Sequence, residues 1–135
     1  MNIYVLDTSA LIRVFLPDGP IPAGVESALR EGERGQATVL CPELARVEIG
    51  QVLLKKVGLK TISVNEAHEI LAIIGDLPIR WCGHGALMAR ALALALERKL
   101  TVYDACFLSL AERYGAVLFT ADSALNVVAV ELGLG

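Results

Sequence analysis

Three short apolar runs restrict what this chain can fold into: Asn2–Leu6, residues 37–41 and residues 117–120. Each is too short for a core helix, is rich in β-branched or aromatic residues, and reads as a buried strand. Helical patterns fill the intervals. After the first run, Thr8 or Ser9 is placed to cap a helix over residues 10–16, and Pro17-Asp18-Gly19-Pro20 is a strong turn signal that stops it. Val25–Glu33 is a second helical stretch closed by Gly35, and Pro42 is well placed as the first residue of a helix running to about residue 57. Ser63 and Glu66 form a capping box for a helix that fades near Gly75-Asp76. Residues 79–81 read as a brief strand or an extended link. Two further helices span residues 85–99 and about 103–114, the second ended by Gly115, and residues 127–130 read as a weaker fourth strand. Buried strands alternating with helices predict one α/β domain, residues 1–135, with a central, mainly parallel sheet flanked by helices.

Composition narrows the class. Apolar residues make up 55% of the 135-residue chain and charged residues 20%, which excludes disorder and is enough for a sizeable core. The longest apolar stretch, residues 86–96, carries Arg90 and is too short to span a bilayer, and the first residues lack a signal-peptide pattern. A cytoplasmic protein with no membrane partner is expected. Cys41, Cys82 and Cys106 are odd in number and widely spaced, so they suggest neither a disulfide framework nor a structural zinc site. The net charge of −3 argues against a protein that grips nucleic acid through a bulk positive field. The local cationic surface to expect is Arg46, Lys55, Lys56 and Lys60, which reads equally well as a solvated helix face.

Against that background four acids are out of place. Asp7 ends the first apolar run, Asp122 follows the third, Asp104 comes after Leu100-Thr101-Val102-Tyr103, and Glu48 has Leu44 and Val52 as its i±4 neighbours. Ligands of open α/β sheets bind beyond the carboxyl ends of the strands, where Asp7 and Asp122 fall. Four carboxylates from four segments would repel one another there unless a cation offset the repulsion. Hard divalent ions such as Mg²⁺ or Mn²⁺ take oxygen ligands together with substrate phosphate, and they suit phosphodiester cleavage. Each acid also has a structural explanation. Asp104 stands three residues after Thr101 in a capping-box pattern, Asp122 is placed to cap a following helix, and Asp7 fits a turn. Glu48 resists such an account unless Arg46 or Lys55 pairs with it. Thr8, Ser9 and Thr120 read either as caps or as donors that orient Asp7, Asp122 or a water. A dehalogenase-type phosphatase would need an acid where Ser9 stands, and a response-regulator receiver would need a lysine that the segment around Asp122 lacks.

Four blocks of sequence, taken in order, resemble the PIN-domain family, in particular its VapC-type toxins. They are Val5-Leu6-Asp7-Thr8-Ser9-Ala10-Leu11, Pro42-Glu43-Leu44-Ala45-Arg46-Val47-Glu48, Leu100-Thr101-Val102-Tyr103-Asp104-Ala105 and Leu118-Phe119-Thr120-Ala121-Asp122-Ser123-Ala124-Leu125. The resemblance covers the whole chain. It implies a three-layer fold and a Mg²⁺- or Mn²⁺-dependent endoribonuclease site, with Asp7, Glu48, Asp104 and Asp122 as the acidic quartet and Thr8 or Ser9 as the hydroxyl position. It also implies an RNA substrate, a homodimer, and an antitoxin partner through which operator DNA is met only indirectly. Two positions depart from the family pattern. Gln51 stands three residues after the helix glutamate, where asparagine is usual, and no basic residue follows Asp122. The competing expectation is a non-catalytic interaction module of the same fold that binds an antitoxin or partner subunit, with Trp81, Met88 and the alanine-rich residues 85–96 available for an interface.

Overall fold

The computed structural model describes residues 1–16 and 18–135; the turn expected at Pro17 lies outside the described residues. Strand β1 (Asn2–Leu6) leads into helix α1 (Thr8–Arg13), followed by α2 (Val25–Glu33), β2 (Ala37–Pro42), α3 (Leu44–Gly58) and α4 (Val64–Asp76). Strand β3 (Ile79–Cys82), a single 3₁₀ turn (Gly85–Leu87), α5 (Met88–Arg98), α6 (Val102–Tyr114), β4 (Val117–Phe119) and α7 (Ser123–Glu131) complete the chain. The four strands are all parallel, in the order β3-β2-β1-β4. The chain builds outward from β1 through β2 to β3, then crosses back to add β4 on the other side of β1. That reversal makes the β1/β4 junction a switch point, where an open parallel sheet leaves a crevice.

Burial explains why these segments behave as they do. In β2, Val39, Leu40 and Cys41 are consecutive and so point to alternating faces, yet all are buried, so helices cover the sheet on both sides. Helices α2 and α6 both pack on β2, and α6 also packs on β1, β4 and α5. Seven consecutive residues of α6, from Ala105 to Ala111, are buried, the signature of a helix enclosed on every side. Phe107, Leu108 and Leu110 lie in that run, each contributing about 1.5–3 kcal/mol through burial. Thr101 caps α6 by accepting the Asp104 N–H at 3.1 Å, and Gly115, at φ 61°, supplies the left-handed residue that ends it. The Ser63–Glu66 capping box opens α4 as expected.

The structure corrects four readings. Residues 127–130 form no strand: they belong to α7, because Asp122 caps a helix there and the burial of Leu125 and Ala129 follows an i, i+4 stripe that outweighs the β-branched valines. Pro42 does not open α3; it ends β2 opposite Cys82, the next N–H, that of Glu43, bonds to the Cys82 carbonyl, and the helix starts at Leu44. Helix α1 starts two residues earlier than expected and ends at Arg13. The stretch from Gly85 opens with a 3₁₀ turn before α5 begins. Residues 79–81 resolve in favour of a strand, β3. No described helix is long and apolar enough to cross a membrane.

Candidate active site

Asp7, rather than Thr8 or Ser9, caps α1. Its extended backbone (φ −83°, ψ 170°) directs the carboxylate over the first turn, where Oδ1 accepts the Ala10 N–H at 2.8 Å and the Ser9 hydroxyl at 2.7 Å. Oδ2 accepts the Thr120 hydroxyl at 2.5 Å. Thr120, just past β4, also accepts the Asp122 N–H at 3.0 Å, while Ser9 accepts the Ala121 N–H at 3.0 Å. The ends of β1 and β4 are thereby laced together through Ser9 and Thr120. Asp7 is only 4% exposed, so its carboxylate depends on these donors.

The other acids arrive from three helices. Glu48, half-buried on α3, accepts the Thr8 hydroxyl at 2.9 Å. Neither Arg46 nor Lys55 pairs with it: Arg46 pairs with Glu43 at 3.0 Å and stacks over the Trp81 ring at 4.2 Å from the centroid. Asp104 sits in the first turn of α6, and among the described residues its carboxylate has no hydrogen-bond partner. Asp122 is exposed and caps α7, with Oδ1 accepting the Ala124 and Leu125 N–H groups at 2.9 and 3.2 Å. The capping roles of Thr101 and Asp122 are therefore real, and they coexist with the clustering of the acids.

All four carboxylates line one cavity of about 350 Å³, together with Thr8, Ser9 and Phe107. Electrostatics register the crowding. Burial raises the Asp7 carboxyl above the ordinary range; the Thr120, Ala10 and Ser9 hydrogen bonds oppose the rise, and the charge of Asp122 adds to it. Burial likewise raises Glu48, opposed by Thr8 and reinforced by Asp104 and Asp7. Asp104 is raised by burial and then by the charges of Asp122 and Asp7. Asp7, Glu48 and Asp104 thus each experience at least one neighbouring carboxylate charge, as expected where something else must balance it.

Among the described residues, no three acid, His or Cys side chains close into a metal-binding group. The donors are nonetheless of the right kind. The cavity offers carboxylate oxygens and hydroxyls, with no His or Cys in its lining. An open oxygen-lined cavity fits Mg²⁺ or Mn²⁺, which bind through one or two carboxylates and fill the remaining positions with water and substrate phosphate.

Gln51 does not line this cavity. It is exposed on α3 and borders a neighbouring depression that it shares with Thr8, Val47, Glu48, Val52 and Tyr103. Sequence reasoning also missed residues that do line the cavity, notably Arg13, Asp18 and Phe107. Helical spacing held the signal for two of them: Arg13 is i+4 from Ser9 on α1, and Phe107 is i+3 from Asp104 on α6. The expected cationic surface is partly consumed, since Lys56 pairs with Asp18 at 2.6 Å.

A parallel α/β sheet with an acid-lined crevice at its switch point is a class of fold and site that hosts more than one activity. Residues 4–131 match the PIN domain family, and the chain belongs to it. It is 28% identical over 123 residues to Ribonuclease VapC3 of Pyrobaculum aerophilum, covering 90% of each protein. A crystallised protein of the same organism superposes with a TM-score of 0.69 at 25% identity, over 99% of this chain and 91% of that one. VapBC2 of Rickettsia felis, solved bound to a DNA fragment from its promoter, gives a TM-score of 0.67 at 16% identity, over 89% of this chain and 88% of that one. This last likeness speaks to the fold alone.

Proposed function

We propose that this protein is a metal-dependent endoribonuclease that acts as the toxin of a toxin–antitoxin pair. The observation that carries this reading is the convergence of Asp7, Glu48, Asp104 and Asp122 on one cavity, where burial and neighbouring carboxylate charge raise the proton affinity of Asp7, Glu48 and Asp104. Membership of the PIN domain family and the likeness to a VapC ribonuclease supply the reaction class.

Asp7, Glu48 and Asp104 would hold Mg²⁺ or Mn²⁺, with Asp122 completing a second or water-mediated position. When bound, the cation supplies charge neutralisation for the phosphodiester and acidity for the attacking water. The chain's own residues do the rest. Thr120 and Ser9 fix the Asp7 carboxylate by hydrogen bonds to both of its oxygens, and Thr8 does the same for one oxygen of Glu48. Asp104, whose carboxylate has no hydrogen-bond partner among the described residues, would be free to serve as a ligand without losing a contact. Phe107, 1% exposed, supplies an apolar wall to the cavity, and an apolar neighbour strengthens electrostatic interactions beside it.

The partners follow from the same reading. RNA is the substrate, an antitoxin segment is the inhibitor, operator DNA is reached only through the antitoxin complex, and the working form is a cytoplasmic homodimer. The apolar depression beside the acids, with Val47 75% and Tyr103 63% exposed, suits such a protein partner. The test is an RNA cleavage assay titrated with Mg²⁺ or Mn²⁺, with product ends mapped. Metal-dependent cleavage that disappears in Asp7→Asn and Asp104→Asn is expected. Cleavage by both variants at the wild-type rate, or full activity in excess chelator, would refute the mechanism. Tight antitoxin binding with no turnover at any metal concentration would favour the non-catalytic interaction module.

A further inference from the structure

The cavity wall holds five carboxylates, those of Asp7, Asp18, Glu48, Asp104 and Asp122, and one cation among the described residues, Arg13. The pairing pattern around them is uneven. Asp18 is taken by Lys56, whose Nζ lies 2.6 Å from Oδ1, so its charge is already offset. Arg13 forms no ion pair with any described acid, although four unpaired carboxylates line the same cavity. Its one polar contact within the described residues is a 3.3 Å hydrogen bond from Nη1 to the Pro20 carbonyl. A guanidinium carries five N–H donors, so the contact leaves the rest of the fork free.

The position of that fork is built. Arg13 stands one helical turn after Ser9 on the same face of α1, which puts its Cα about 6 Å further along the helix from the acid cluster. The guanidinium lies against the backbone at Gly19, where a side-chain methyl would overlap it. Glycine at that point leaves the space the guanidinium occupies, and the Pro20 carbonyl holds it there. The result is a half-buried, unpaired cation at the edge of an anionic cavity, in a protein whose net charge of −3 gives no general attraction for RNA.

We propose that Arg13 binds the RNA phosphate next to the one at the acid cluster. The proposal rests on the ribonuclease reading and deepens it by naming the contact that holds the substrate strand. An arginine fork fits phosphate oxygens in pairs, so the contact both anchors and orients the strand. Because the contacted phosphate is not the one being cleaved, the contact acts on binding and belongs to KM.

Arg13→Met and Arg13→Lys in the full chain test this, using a single-stranded RNA oligonucleotide with Mn²⁺. Arg13→Met is expected to raise KM by about tenfold, the worth of one charge-assisted contact, with kcat unchanged. In the Asp104→Asn background, RNA affinity measured by fluorescence anisotropy at several salt concentrations should lose about one unit of salt slope when Arg13 is removed. Arg13→Lys should keep the slope and recover only part of the KM, which a purely structural contact to Pro20 would not produce. If wild-type protein cleaves RNA and Arg13→Met changes neither KM nor slope, the proposal is wrong and the ribonuclease reading stands. If wild-type protein binds RNA without cleaving it and the slope still falls, the phosphate contact stands and the ribonuclease reading is wrong. Wild-type protein that neither cleaves nor binds RNA overturns both.

Discussion

The Thr120 hydroxyl donates to Asp7 Oδ2 at 2.5 Å across 113 positions of sequence, and Thr120 Oγ1 in turn accepts the Asp122 N–H at 3.0 Å. One hydroxyl therefore holds the Asp7 carboxylate and the Asp122 backbone together, just past the ends of β1 and β4. Thr120→Val keeps the shape and deletes both bonds. On the ribonuclease reading it should lower Mn²⁺ affinity or activity by about 10–100-fold, as loss of a partner that orients a ligand does. Thr120→Ser should restore most of it. Parallel metal titrations and cleavage rates for the three proteins make the comparison, and equal metal affinity and rate in Thr120→Val would show that the hydroxyl is dispensable.

Asp104→Asn separates function from stability in opposite directions. The carboxylate has no hydrogen-bond partner among the described residues and faces the charges of Asp122 and Asp7. Neutralising it should abolish cleavage and raise the melting temperature of the metal-free protein. Circular dichroism melts in chelator check the second half, and a lower melting temperature would contradict the charge argument.

The pH dependence of that difference is fixed in sign. Asp104 has a raised pKa in the folded protein, so its protonated form favours folding: that contribution is complete below the unfolded value of about 4 and is lost as pH rises through the folded value. The stability advantage of Asp104→Asn over wild type should therefore be largest near neutral pH and vanish toward pH 4. Chemical denaturation of both proteins across that range measures it. A gap that widens on acidification would reverse the assignment.

Asp122 carries two roles that one pair of substitutions can divide. Its side chain caps α7 through the Ala124 and Leu125 N–H groups, and it also lines the cavity. Asparagine caps as well as aspartate, so Asp122→Asn should hold wild-type stability while reducing cleavage. Asp122→Ala should reduce cleavage and also cost about 1 kcal/mol of folding stability, read by urea denaturation. Equal stability of the two variants would mean the cap contributes nothing.

The acids were legible in the sequence because each breaks a local rule, a charge at the end of an apolar run or between apolar i±4 neighbours. What stayed hidden was set by tertiary context. Val127, Val128 and Val130 carry strand propensity, yet Asp122 starts a helix and the buried stripe of Leu125 and Ala129 decides the matter. Asp7 was read as a turn residue or ligand and is also the cap of α1, which shifted the helix start and hid the shared face of Ser9 and Arg13. Gln51 lies three residues after Glu48 on α3 and shares with it the neighbouring apolar depression, outside the cavity where the four acids meet. Partners set by distant chain, such as Lys56 with Asp18, cannot be read from local pattern at all.

The two borders of the sheet are unlike. On β4, the Leu118 N–H is already bonded to the Leu134 carbonyl at 2.6 Å, so the tail after α7 closes that border. The outer edge of β3 has no such strap among the described hydrogen bonds. Among the described residues, β3 is thus the border whose outer main-chain groups are left unpaired.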